Sequence, residues 1–134
     1  MSKSLLQTVN TSTQTLAEGG LINPGTVIRR YGCNIRLNNN SIELIDNGYF
    51  KIDATITVEP TAVGNVSVAL YEDGIVIPGT LVSGYAAAAS APVTLPIVAT
   101  VRHNCCCNNT SSITAALVAG AGDVTNVSIR AEKS

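Results

Sequence analysis

Between Ser41 and Gly74 apolar and polar residues alternate with period two. In Tyr49–Glu59, Phe50, Ile52, Ala54, Ile56 and Val58 share one face, while Lys51, Asp53, Thr55, Thr57 and Glu59 share the other. In Asn65–Tyr71 the inward set is Val66, Val68 and Leu70. Successive side chains of a strand point to opposite faces, so the pattern predicts strands with one buried face each. Ser41–Asp46 reads as a short strand ahead of them. Asp46-Asn47-Gly48 and Glu72-Asp73-Gly74 carry Asn-Gly and Asp-Gly signals, which predict two adjoining hairpin units. Pro60–Gly64 interrupts the alternation.

The remaining chain extends the same picture. Leu5–Val9 and Thr13–Ala17 read as short strands. Gly19-Gly20 and Asn23-Pro24-Gly25 are turn signals. Thr26–Leu37 reads as one longer strand with Tyr31, Cys33, Ile35 and Leu37 on a common face, which predicts a buried Cys33. Asn38-Asn39-Asn40 is a turn. Thr80–Val82 is a candidate strand. Gly84–Pro92 contains four alanines but is too short for a stable helix, so it reads as loop or extended chain. Val93–Val101 alternates again, and Pro96 places it at a sheet edge or bulge. Ser112–Ala119 and Val124–Ala131 are the last two strands. Nine or ten strands with no convincing helix predict an all-β antiparallel sandwich or closed barrel.

Composition narrows the function classes. The 134 residues suffice for one domain with a real core. Charged residues make up 13% of the chain, about half the usual ~25%. The net charge of −1 speaks against nucleic acid as a partner, which calls for a basic patch. Low charge also suits a surface that copies of the same chain cover. The start of the chain lacks the apolar run of a secretory signal, and no stretch reaches the ~20 apolar residues of a membrane helix. The expectation is a protein made in the cytoplasm without a signal peptide, with no membrane partner.

The order of features resembles a known superfamily. The motifs are an early Gly-Gly turn, then Asp46-Asn47-Gly48-Tyr49-Phe50-Lys51-Ile52 opening a long alternating strand. Val68-Ala69-Leu70-Tyr71-Glu72-Asp73-Gly74 runs into a turn, and a final strand pair surrounds Gly120-Ala121-Gly122-Asp123-Val124. Over residues 13–131 this resembles the jelly-roll domain of the tumour necrosis factor and complement globular-head superfamily. It looks closest to bacterial and phage versions, such as the C-terminal heads of collagen-like exosporium proteins. The resemblance implies a ten-strand jelly-roll β-sandwich that assembles as a homotrimer. It also implies a binding or structural role on virions, spores or secreted proteins. Residues 1–12 then read as an N-terminal strand or attachment segment and 13–134 as the jelly-roll domain. The chain departs from the pattern in having four Tyr, one Phe and no Trp, and in lacking a Gly-X-Y stalk.

Candidate chemistry is sparse. There is one histidine, and no G-x-S-x-G, P-loop or H-E-x-x-H motif occurs, so no catalytic residue and no cofactor are assigned. The acidic residues fall at turns or on polar strand faces. Cys105-Cys106-Cys107, with His103 two residues upstream, offers soft ligands for zinc, but adjacent strand side chains diverge and the spacing is poor. His103, Cys105, Cys106 and Cys107 therefore stand as weak metal candidates, within one chain or tripled on a threefold axis. A disulfide from Cys33 to one of the three, and reduced thiols, are the alternatives. Expected partners are further copies of the chain, other virion or spore-coat proteins, and glycans. For glycans, Tyr31, Tyr49, Tyr71 and Tyr85 are the stacking candidates. The expected role is a phage or prophage virion component such as a fibre, decoration or tail-tip head. The alternatives are a spore-surface protein or a lectin-like module.

Overall fold

The structure, a computed structural model, describes residues 4–38, 40–45, 48–103 and 111–133. The described strands run in chain order as β1 (Ser4–Asn10), β2 (Gln14–Leu16), β3 (Leu21–Ile22), β4 (Thr26–Tyr31) and β5 (Ile35–Asn38). They continue as β6 (Ser41–Leu44), β7 (Gly48–Pro60), β8 (Gly64–Glu72), β9 (Ile75–Val76) and β10 (Val82–Ala86). The last three are β11 (Val93–His103), β12 (Ser111–Ala119) and β13 (Gly122–Lys133). The first sheet has the order β11-β7-β13-β1-β4, with β2 added on β13. The second has the order β10-β8-β12-β6-β5, with β3 on β12 and β9 on β8. Every pairing is antiparallel. The two sheets form the jelly-roll sandwich that the resemblance implies.

The core is built from the inward set of each strand. Phe50, Ile52, Ala54, Ile56 and Val58 of β7 are all buried, as are Val66, Val68 and Leu70 of β8. They meet Leu95, Ile97, Ala99 and Val101 of β11 and Val124, Val127, Ile129 and Ala131 of β13. The central position of β7 explains its 13 residues, because β13 and β11 satisfy its backbone on both sides. Pro96 sits on β11, which among the described residues is an edge strand of the first sheet, where proline is tolerated. Residues Ser4–Asn10 form an inner strand of the first sheet, with Leu6 fully buried.

Three expectations need correction. The stretch Ser41–Gly74 is not two adjoining hairpins. β6 pairs with β12 and β5 in the second sheet, β7 lies in the first, and β8 returns to the second. Both connections therefore cross between sheets; Asp46 and Asn47 of the first lie outside the described residues. The Asp73-Gly74 turn is a hairpin, with Glu72 opposite Ile75 and φ of 51° and 85° at its two central residues.

Thr26–Leu37 is two strands rather than one. The chain bends at Gly32-Cys33-Asn34, with Gly32 at φ 78°, and passes from the edge of the first sheet to the edge of the second. Cys33 is therefore exposed in the bend, not buried in a strand. The segment after Gly79 also differs, since the strand is Val82–Ala86 and reaches into the alanine run. Gly84 on this strand packs so closely that an added Cβ would lie 2.5 Å from Val93 Cγ1 of β11. The sandwich is thereby drawn together along its β10/β11 side.

Candidate functional site

The largest regular surface is the outer face of the first sheet, and the register places its residues in rows. One row reads Thr100, Lys51, Glu132, Leu5, Tyr31 across β11, β7, β13, β1 and β4. The next reads Val98, Asp53, Arg130, Gln7, Arg29. Lys51, Glu132, Asp53 and Arg130 thus alternate in sign both along and across the strands, and Arg130 Nη2 donates to Asp53 Oδ2 at 2.5 Å. Opposite charges on facing positions favour this register.

Below the tetrad the face carries no charge for two rows. Pro96, Thr55, Ser128, Val9 and Thr26 form one, and Thr94, Thr57 and Asn126 the other. The Thr57 and Thr94 hydroxyls lie 3.2 Å apart across the strands. Val98, 73% exposed, borders this band. Uncharged side chains such as these are desolvated at less cost than the Lys and Glu that usually cover such faces. The last row, Glu59 and Asp123, is acidic, and Thr15 Oγ1 donates to Asp123 Oδ1 at 2.8 Å.

The outer face of the second sheet is different. Its most buried ion pair joins β5 to β6, where Arg36 Nε donates to Glu43 Oε1 at 2.5 Å and Asn38 Nδ2 to Oε2 at 3.3 Å. The Arg36 hydrogen bond holds the Glu43 carboxyl below its usual range, against an opposing push from burial. A depressed folded-state value means the pair stabilises the fold at neutral pH. That contribution disappears as the pH falls from the ordinary glutamate range, about 4.3, through the lower folded value. Glu43→Gln should therefore lower the unfolding free energy from urea titration at pH 7, by no more than about 1 kcal/mol because Arg36 is half exposed. At a pH below the folded-state value the two proteins should unfold together, since Glu43 is then as neutral as Gln. An equal deficit at both pH values would contradict the charge assignment.

The four candidate tyrosines do not form one site. Tyr31 and Tyr49 lie on the outer face of the first sheet, and Tyr71 and Tyr85 on that of the second. Tyr31, Tyr49 and Tyr85 are exposed, at 66%, 54% and 66%. The Arg102 guanidinium stands 5.8 Å from the Tyr49 ring centroid. Tyr71 is half-buried and lines a shallow groove of ≈ 280 Å³ with Gly19, Leu21, Gly74, Thr114 and Ala116. Tyr85 faces Asn65, six residues along β8 from Tyr71, or ~20 Å at ~3.3 Å per residue. A glycan could meet one of these rings at a time but not a joined platform.

His103 ends β11 opposite Gly48. Its side chain and Cys105, Cys106 and Cys107 lie outside the described residues. Among the described residues no three His, Cys, Asp or Glu side chains gather as a metal site. The charge tetrad was not anticipated, although Lys51-x-Asp53 and Arg130-x-Glu132 both show alternating signs at the correct spacing. Only the pairing of β7 with β13 turns those two signals into one feature.

No family model matches the sequence. No curated protein matches it either. The structure, however, is similar to solved jelly rolls over nearly its whole length. It superposes on the globular domain of zebrafish complement 1qA protein with a TM-score of 0.71 and 6% identity, covering 95% of this chain and 94% of that one. Murine APRIL gives 0.70 at 13% identity, with 99% and 100% covered. The PRD1 vertex protein P5 gives 0.57 at 13% identity, with 97% and 96% covered. The fold is therefore the jelly roll of the tumour necrosis factor and complement globular heads.

Proposed function

We propose that this protein is a non-enzymatic homotrimeric head that serves as a structural or adhesive component of a phage or prophage virion. The observation that carries the assembly is the uncharged band on the first sheet, around Thr55, Thr57, Thr94 and Ser128, with Val98 73% exposed beside it. A threefold arrangement buries that band against a neighbouring copy and leaves the second sheet outward for adhesion. Closed cyclic symmetry is the usual solution for such self-association. The likeness to a vertex protein supports the virion role. Assembly in the cytoplasm, with the mature protein on the particle surface, is the localisation that goes with it.

Val98→Asp tests the assembly. It places a charge on the band's border without entering the core, so it should shift the mass measured by light scattering from trimer toward the 13.8 kDa chain at micromolar concentration. Unchanged far-UV circular dichroism would show that the fold survives. A Val98→Asp protein that keeps the wild-type mass would remove this band from the interface. The virion role is tested by antibody labelling of purified phage particles and of spores from the same source. Label on spores alone would favour the spore-surface reading.

A further inference from the structure

All six residues of β4 are exposed, and among the described strands longer than two residues it is alone in this. The reason lies in the sheet edges. β5, at the edge of the second sheet, sits under β1, where the Asn34 N–H donates to Ser4 Oγ at 3.3 Å. β4 lies one strand further out in the first sheet, and among the described residues the second sheet has no strand beyond β5 to cover it. Among the described residues its backbone pairs with β1 on one side only. The other long edge of this sheet, β11, carries Pro96, which removes a donor from the ladder. β4 has no proline; its pairing with β1 shifts register between Gln7 and Thr8, where Ile28 is left without a partner, and its sequence is Thr-Val-Ile-Arg-Arg-Tyr. Val27, Ile28 and Tyr31 are 39%, 52% and 66% exposed.

Edge strands are commonly protected by charge, proline or a bulge, and an open edge accepts another strand. β4 carries charge of one sign only. Arg29 falls opposite Gln7 on the outer face and Arg30 opposite Leu6 on the inner one. Among the described residues neither is in an ion pair. A second β4 laid antiparallel on the first would bring these arginines together, which disfavours self-pairing.

We propose that β4 is a docking edge for an extended acidic segment of a partner protein, added as a further strand of the first sheet. The incoming strand presents a carboxylate to Arg29 on one face and to Arg30 on the other. Its apolar residues cover Val27 and Tyr31. Backbone hydrogen bonds supply affinity, and the two arginines set the choice of partner. The proposal adds a heterologous partner to the self-assembling head and rests only on the fold described above.

A fluorescent peptide of about eight residues, with two adjacent glutamates flanked by valines so that one carboxylate falls on each face, is the probe, followed by anisotropy and amide NMR of the full chain. It should bind, shift the β4 amides and weaken as salt rises from about 50 to about 500 mM. Arg29→Glu/Arg30→Glu should bind it at least about ten-fold more weakly and instead accept the Lys–Val counterpart. Both substituted positions are exposed, and circular dichroism with light scattering confirms that fold and mass are kept.

A peptide of the same charge with proline at alternate positions cannot form the ladder and should not bind. Equal binding of the proline peptide would overturn strand addition, because charge alone would then suffice. Failure of the Glu–Val peptide to bind overturns the proposal while leaving the trimer reading intact. A fall in oligomer mass in the Arg29→Glu/Arg30→Glu protein would show that β4 is covered by another copy, which also overturns it.

Discussion

Ile56→Ala should destabilise the protein by about 2–5 kcal/mol, as truncation of a fully enclosed branched aliphatic does. Ile56 is 0% exposed at the middle of β7, between Leu95 of β11 and Val127 of β13, which are themselves buried. The lost methyl groups leave a cavity beneath strands that are hydrogen-bonded on both sides and cannot collapse into it. Lys51→Ala, on the opposite face of the same strand and outside the uncharged band, removes an exposed side chain and should cost less than about 1 kcal/mol. Urea midpoints at a fixed protein concentration, with unchanged slope, measure both. Equal losses would mean that the face assignment of β7 is wrong.

The second large effect is expected at Gly25→Ala. Gly25 has φ 90°, a region that costs other L-residues about 1–2 kcal/mol. An added Cβ would also lie 2.3 Å from the Val9 carbonyl oxygen and 2.6 Å from Asn10 Cβ. The turn cannot retreat freely, because Gln14 Nε2 donates to Asn23 O at 2.8 Å and Asn10 Nδ2 donates to the same oxygen at 3.0 Å. Strain and forced displacement together should cost about 2–5 kcal/mol and lift the start of β4 from β1. Gly79→Ala is the control. Its φ is 85°, but nothing lies within 4 Å of the added Cβ, so only the backbone cost of about 1–2 kcal/mol remains. If the two substitutions cost the same, the close packing of the Asn23-Pro24-Gly25 turn on β1 is contradicted.

The elements of this fold were legible wherever burial of one face imposed a strict period of two. β7, β8 and β11 are such cases, because each presents an unbroken inward set to the core, whereas in β13 a register shift after Val124 moves the inward set to Val127, Ile129 and Ala131. Pairing was less legible. The Asn-Gly at 47–48 signals a local reversal, but it does not say whether the chain returns along the same sheet or crosses to the other. Here β6 finds its partner in β12 and β7 finds β13, both distant in sequence.

The bend at Gly32 was hidden for a related reason. Tyr31, Cys33, Ile35 and Leu37 keep the alternation across it, yet Tyr31 belongs to one sheet and Ile35 to the other. Only Ile35 of that set is fully buried. The tyrosine candidates could be named from sequence, but their division between opposite outer faces depends on sheet order, as does the neutral band beneath the charge tetrad.

The mass of the protein in solution decides most directly whether the head is a trimer. Light scattering of the full chain across the micromolar range should give three times 13.8 kDa, about 41 kDa, with no dependence on salt beyond that of a largely uncharged interface. A mass of 13.8 kDa throughout that range would contradict the trimer, and would leave the neutral face of the first sheet without a partner of its own kind.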